Sequence, residues 1–521
     1  MKTTAAQAGG AAAATAATSA VALTGPLAIL LLAWIGAIKA TGAAFSTVAL
    51  VDATTSLGLD ATMRSACAAA ISLAVAATAI AAGVAADRLG RRRVLMGSFA
   101  VAGAANLLIF AVPSGPVYFA GHVAAGLGYS AMATGSYAYV KALAPGKSLG
   151  WALGLFGIFT TLVCTVTVFA GGALADVDWR WLFLVVPGMC VVAALLTPRM
   201  LPVMPRVGSG PVDLPGLVVL GAGMMALVAG LTKATSDLSS PGGWAVVGAG
   251  AALIGVWVVI ERRSSHPSFP IGIFRSRRYV AAAVAGFTGN VTAAAMTLGM
   301  NDHLQYVARD SVLVATIGMQ PTYIVGGLGG LVAGGLLAGR WLTGGVAART
   351  VMTGGALLTA TGYALLTPLH HGSPYWTILP GIIVAGVGLA ALMTAQSQVI
   401  VREAPPDAYG AVTSSKTSIS QLGSAVGMIL TVLFLDRMTS GGIVRGLRAE
   451  GVDEQDAHAT LVELQDFMTT GHRPRLHDFP DAIGHAMSSF SGAFHADMVV
   501  SAAIMVATAA AVWWLMREPA A

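Results

Sequence analysis

A chain of 521 residues that is 56% hydrophobic and only 10% charged lies far from a soluble domain, in which roughly 25% of residues are charged, so water is not its main solvent. The formal charge of +6 does not mark a nucleic-acid binder, because the basic residues sit in short clusters between apolar runs and not along one stripe. Cys67, Cys164 and Cys190 all fall inside apolar runs without any Cys/His spacing suited to zinc, which leaves packing as their role and no metal site built on them.

Residues 1–24, rich in Ala, Thr and Gly after one early lysine, predict a disordered cytoplasmic tail. The first strong apolar run continues through Leu50, too long for the core of a cleaved signal peptide. Further runs follow, each near the ~20 residues that cross a ~30 Å hydrocarbon layer. Barrel strands would be about half that length and alternate in polarity, so the runs predict helices. The 64 glycines fit this reading, because small residues let membrane helices pack backbone to backbone.

The predicted spans are 27–51, 62–86, 93–112, 117–140, 149–173, 181–199, 213–233, 243–261, 279–303, 312–338, 346–367, 375–400, 408–435 and 491–515. Loops after even-numbered spans collect the arginines, among them Arg88, Arg91, Arg92, Arg93, Arg262, Arg263, Arg277 and Arg278, whereas the short odd-numbered loops hold only Arg64, Arg180, Lys233 and Arg309. Short cytoplasmic loops are the ones that gather Lys and Arg. Both termini are therefore expected on the cytoplasmic side, which requires an even number of spans and agrees with fourteen. Residues 436–490 then form an extracellular loop with a helical pattern around Asp456 to Met468, too short to bury a core of its own.

Between spans two and three stands Gly83-Val84-Ala85-Ala86-Asp87-Arg88-Leu89-Gly90-Arg91-Arg92-Arg93. The glycines allow a tight turn, and Asp87 can accept from arginines or from a helix N-terminus on a neighbouring bundle, a contact able to hold one conformation and break in another. Positive-inside charge alone explains the arginines but not Asp87 with Gly83 and Gly90 at this spacing. Further along come Asp178-Trp179-Arg180-Trp181-Leu182-Phe183, Asp213-Leu214-Pro215-Gly216, Glu261-Arg262 with His266-Pro267, and Leu422-Gly423-Ser424-Ala425-Val426-Gly427.

In this order the stretches resemble the major facilitator superfamily, and specifically its fourteen-helix drug:proton antiporter branch (EmrB/QacA type), over about residues 27–515. The resemblance implies an all-α integral membrane protein. An N-terminal six-helix bundle would occupy 27–200, two extra central helices 213–261 and a C-terminal six-helix bundle 279–515, with one bundle rocking against the other about a midplane site.

The pattern also breaks. The branch carries an acid in span one, where this chain has Gly42, with Thr47 in place of an asparagine. Span four has His122 where an arginine is usual, and span five keeps Gly154, Gly171 and Gly172 but lacks the proline of its motif. A charge in a bilayer costs on the order of 2.5–3.5 kcal/mol by insertion scales, so intramembrane ionisable residues are functional candidates. For a relocated proton-coupling site these are Asp302 (beside His303), His122, Lys39 and Lys416. Each has a plainer role open to it: Asp302 as an interfacial residue in water, His122 as a structural hydrogen-bonding group, Lys39 as a snorkelling or paired lysine. Tyr129, Tyr137, Tyr139, Phe287 and Tyr323 stand at depths where they line a cavity or simply pack.

The expected function is therefore secondary export of a hydrophobic or amphipathic small molecule across the plasma membrane, by proton antiport, by a monomer that needs no cofactor, metal or ATP. No Gly-x-x-x-x-Gly-Lys-Ser/Thr loop exists to cradle phosphates. The alternatives are a substrate-specific exporter or a uniporter without proton coupling and, more remotely, a membrane enzyme or a non-transporting receptor. The constellations an intramembrane enzyme would need are not readable here.

Overall fold

The computed structural model describes residues 26–59, 61–143, 149–175, 177–204, 213–236, 240–264, 267, 269–304, 347–369, 373–405, 409–470 and 482–517. Every regular element among the described residues is a helix: α1 (Pro26–Val48), α2 (Leu50–Leu57), α3 (Ala61–Leu89), α4 (Arg91–Ala111), α5 (Gly115–Leu143), α6 (Leu149–Ala175), α7 (Leu182–Met200), α8 (Leu214–Ser236), α9 (Pro241–Arg263), α10 (Arg277–Asp302), α11 (Ala348–Leu366), α12 (Leu379–Glu403), α13 (Tyr409–Ala449), α14 (Glu454–Thr470) and α15 (Ala482–Leu515), with short 3-10 turns between some of them. Among the described residues, 11 helices are long and apolar enough to cross a membrane. The protein is multi-pass. Each predicted span except the tenth overlaps one of these helices, those of the fourth and eleventh, α5 and α11, not being among the 11; the tenth, 312–338, lies outside the described residues.

Local chemistry explains where the helices begin and stop. Gly58, at φ +61°, ends α2 in a left-handed cap, and Gly90, at φ +102°, makes the sharp joint between α3 and α4. Two of the loop stretches singled out in the sequence act as helix caps. The Asp178 carboxylate accepts from the Arg180 N–H at 2.9 Å ahead of α7, and Asp213 accepts from the Gly216 N–H at 3.1 Å ahead of α8. Ser276 caps α10 by accepting from the Tyr279 N–H at 3.2 Å.

Two large buried cores form. One draws on α1 to α7, with Leu32, Phe45, Tyr118 and Phe183 fully enclosed; the other draws mainly on α8 to α15, with Tyr279, Met352, Tyr363 and Phe494. A third, smaller cluster of Ala69 and Leu73 from α3, Val228 from α8 and Ala425 and Ile429 from α13 joins them. The helix α8 thus packs against both halves, and its partner α9 packs mainly on α8. In lipid there is little hydrophobic gain from helix association, so close backbone approach carries the packing. Glycines supply it: a Cβ at Gly230 or Gly250 would strike the opposing backbone of α9 or α8, and one at Gly362 or Gly388 that of α12 or α11.

Residues 436–490 differ from the expected loop. α13 runs 41 residues, on the order of 60 Å, about twice the hydrocarbon thickness, and α15 starts at Ala482. Gly451, at φ +89°, turns the chain into α14. Ile443, Leu447, Ala457, Leu461 and Ala486 bury against one another as a helical cap, which also touches α2. The segment buries a small core because the ends of α13 and α15 contribute to it.

Candidate functional site

The seam between the two cores brings together side chains from α1, α5, α6 and α13. Lys39 Nζ, midway along α1, donates to Gln421 Oε1 of α13 at 3.3 Å. Five residues before Gln421, toward the arginine-rich end, Lys416 Nζ of α13 stands 5.4 Å from the centre of the Tyr137 ring of α5, within the range of a cation–π contact. Tyr137 in turn lies 5.1 Å from Phe156 of α6. Although held between these groups, Tyr137 is 49% exposed, so the seam is open at that depth. Lys39 and Lys416 are close enough for their charges to repel, and among the described residues no carboxylate pairs with either. Thr41 and Thr167 share a 2.7 Å hydrogen bond beside them, linking α1 to α6.

A second ionisable group lies at the opposite end from the arginine-rich loops. Asp302, His303 and Asp497 are buried, and Asp302 Oδ1, His303 Nδ1 and Asp497 Oδ2 have no hydrogen-bond partner among the described residues. The His303 ring packs 5.5 Å from that of Phe494, and Asp497 Oδ2 would lie 3.6 Å from a Cβ at Gly299, one turn before Asp302. Arg64, at the start of α3 in the other half, interacts electrostatically with both Asp302 and Asp436. Asp497 is absent from the sequence-derived candidates, although an acid inside a predicted span is the very signal that singled out Asp302.

The remaining candidates fall elsewhere. His122 sits in the centre of the first core, its Nδ1 2.7 Å from the Tyr118 carbonyl oxygen and its ring 4.3 Å from Tyr118 and 5.6 Å from Phe183, away from the seam. Gly42 has no room for the acid expected in span one: a Cβ there would fall inside the Tyr129 hydroxyl, which itself accepts from Asn106 Nδ2 at 3.0 Å. Gly171, between α6 and α1, is pressed against the Phe45 ring, and Gly172 beside it is buried. Gly154 lies in α6 nearer the other end.

In the loop motif, Asp87 accepts from Arg91 at 3.2 Å across the α3–α4 joint, and Arg91 also donates to the Ala138 carbonyl of α5 at 3.4 Å. Gly83 is buried, while Arg88 and Arg92 flank the pair at half-buried positions. These contacts of Asp87 and Arg91 all lie within one half of the molecule. Tyr129 and Tyr139 are fully buried packing residues, and Tyr323 lies outside the described residues.

A family model described as Major Facilitator Superfamily matches residues 32–428. The chain is 29% identical over 390 residues to the puromycin resistance protein pur8 of Streptomyces alboniger, a match covering 74% of this chain and 76% of that one. It is 26% identical over 361 residues to the multidrug efflux pump LfrA of Mycolicibacterium smegmatis, covering 68% and 70%. The likeness to the probable actinorhodin transporter of Streptomyces coelicolor is 26% over 392 residues, covering 71% and 65%. Among solved structures, a bacterial homologue of the human lysosomal transporter Spinster superposes with a TM-score of 0.63 at 14% identity, over 95% of this chain and 99% of that one. The fold is shared.

Proposed function

We propose that this chain, which belongs to the major facilitator superfamily, is a secondary active exporter that moves a hydrophobic or amphipathic small molecule out across the plasma membrane by alternating access, driven by protons. The observation that carries the reading is the polar seam at mid-depth, where Lys39 of one half meets Gln421 of the other beside the exposed face of Tyr137. A site shared by two halves at the midplane is what a rocking transporter requires. Relatives named for puromycin resistance and multidrug efflux support the outward direction and the substrate type.

In this reading both termini and the arginine-rich loops face the cytoplasm, the fourteen-helix arrangement comprises two six-helix bundles with α8 and α9 between them, and the monomer is the working unit. Asp302 and Asp497 carry the coupling proton. Each has an oxygen buried without a hydrogen-bond partner among the described residues, and Arg64 of the other half acts electrostatically on Asp302. A neutral carboxylic acid is tolerated in such a site and a carboxylate is not, unless a cation reaches it. Arg64 can pair when the halves close at that end and withdraw when they open. His122 serves the packing of the first bundle.

The test is uptake of amphipathic dyes, one anionic and one cationic, into inverted vesicles with and without an imposed proton gradient. Gradient-dependent uptake that Asp302→Asn or Asp497→Asn abolishes at unchanged protein level is expected. Uptake indifferent to the gradient and to both substitutions would replace antiport by uniport, and no uptake of either dye would remove the export reading for this class of molecule.

A further inference from the structure

We infer that the seam selects amphipathic organic anions, such as carboxylates, sulfonates or acidic phenols attached to a flat apolar body, with Lys39 and Lys416 as the paired counter-charges. The inference rests on the reading of the seam as the transport site, and it specifies what that site accepts.

Three observations carry it. First, the described residues place two lysines along the seam, Lys39 from one half and Lys416 from the other. Second, both are held by partners suited to an ammonium ion. Gln421 offers Lys39 a carbonyl oxygen, and Tyr137 offers Lys416 the electron-rich face of its ring. Neither partner cancels the charge. Among the described residues no carboxylate pairs with either lysine, and the family's span-one position for an acid is closed off by Tyr129 over Gly42.

Third, the same stretch is walled by aromatic surface, with Phe156 against Tyr137 and the latter half open. Two lysines with no carboxylate partner among the described residues, beside an open aromatic wall, suit a flat molecule carrying one or two negative charges. A cation entering there would meet repulsion from both lysines, with only ring faces to offset it. The contacts from opposite halves also mean that a bound anion draws α1 and α13 together, so binding energy is available for the closing movement.

The experiment measures binding directly, separately from transport. The full-length protein in detergent is titrated with two xanthene dyes of similar size, a fluorescein carboxylate and a cationic rhodamine ester, and fluorescence anisotropy is read. The wild type is expected to bind the anion saturably and to prefer it over the cation by on the order of tenfold or more. Lys39→Gln and Lys416→Gln should each weaken the anion by on the order of tenfold, Lys39→Arg should restore most of it, and the cation should gain or stay unchanged in both glutamine variants.

If a glutamine variant fails to run as a monodisperse peak, the wild-type preference still decides. Equal binding of both dyes, preference for the cation, or no saturable anion binding overturns the inference. Anion binding that needs the lysines without any vesicle uptake upholds the inference and defeats the export reading. Uptake of the cation independent of the lysines does the reverse.

Discussion

Lys39 Nζ and Gln421 Oε1 meet at 3.3 Å although 382 positions separate them in the chain. The bond ties α1 to α13 at mid-depth, so any rocking of one half against the other must break it or carry it along. A hydrogen bond to a charged group contributes about 1.5–3 kcal/mol. Gln421→Leu is therefore expected to lower substrate affinity on the order of tenfold or more, read as a raised half-saturation in vesicle uptake with protein level unchanged. Gln421→Glu keeps the acceptor and adds a charge. It should hold Lys39 more tightly, cancel one counter-charge and slow turnover below that of the leucine variant.

Arg64, at the start of α3, stands within electrostatic range of Asp302 and Asp436 on the other half, at the end away from the arginine-rich loops. Asp302 is 8% exposed, and removing the cation takes away the favourable charge nearest its carboxyl while the hydrogen bond from Asn301 stays. Arg64→Gln should thus favour separation of the halves at that end. A cysteine placed at Asn301, itself buried, should react with a maleimide several times faster in the Arg64→Gln background than alone; equal rates would mean that Arg64 does not hold that end closed.

The helices were legible because their signal is local: a run of apolar residues bounded by Gly58, Gly90, Asp178 or Asp213 contains its own start and stop. Depth was less so. Asp497 falls within the last predicted span and is passed over there, but α15 begins as early as Ala482 and Asp497 is buried. The site itself was legible as residue types and not as contacts. Lys39 and Lys416 stand out as intramembrane charges, yet their partners Gln421 and Tyr137 are ordinary residues on distant helices, and only tertiary packing pairs them.

Tyr129 explains the missing acid of span one. Its hydroxyl occupies the space that a side chain at Gly42 would need, and the ring is fixed by the 3.0 Å bond from Asn106. Gly42→Asp is expected to fail, because overpacking a tight core costs about 1–3 kcal/mol before the burial of a charge is counted. Shortening the obstacle should help: Gly42→Asp with Tyr129→Ala should recover more folded protein, by size-exclusion profile, than Gly42→Asp alone. No recovery would show that the charge and not the collision is what the helix cannot hold.

Gly423 and Gly427 govern how closely α13 lies on α10. A Cβ at Gly423 would strike the Phe287 carbonyl oxygen, and one at Gly427 that of Val291; both obstacles are backbone and cannot swing aside. Spacing of four residues puts the two glycines on one face of the helix, in the small-xxx-small arrangement that membrane helices use for close contact. Gly427→Val should separate the helices, displace Gln421 from the seam, and cost about 1–3 kcal/mol, seen as a lower melting temperature and weakened binding. Gly441 lies on the same helix with no atom within 4 Å of a built Cβ. Gly441→Ala should instead stabilise by about 0.5–1 kcal/mol, since alanine is the better helix former and meets no obstacle there. Opposite signs for two glycine substitutions on one helix would mark α13 against α10 as a packing contact; equal effects would reduce both to helix propensity.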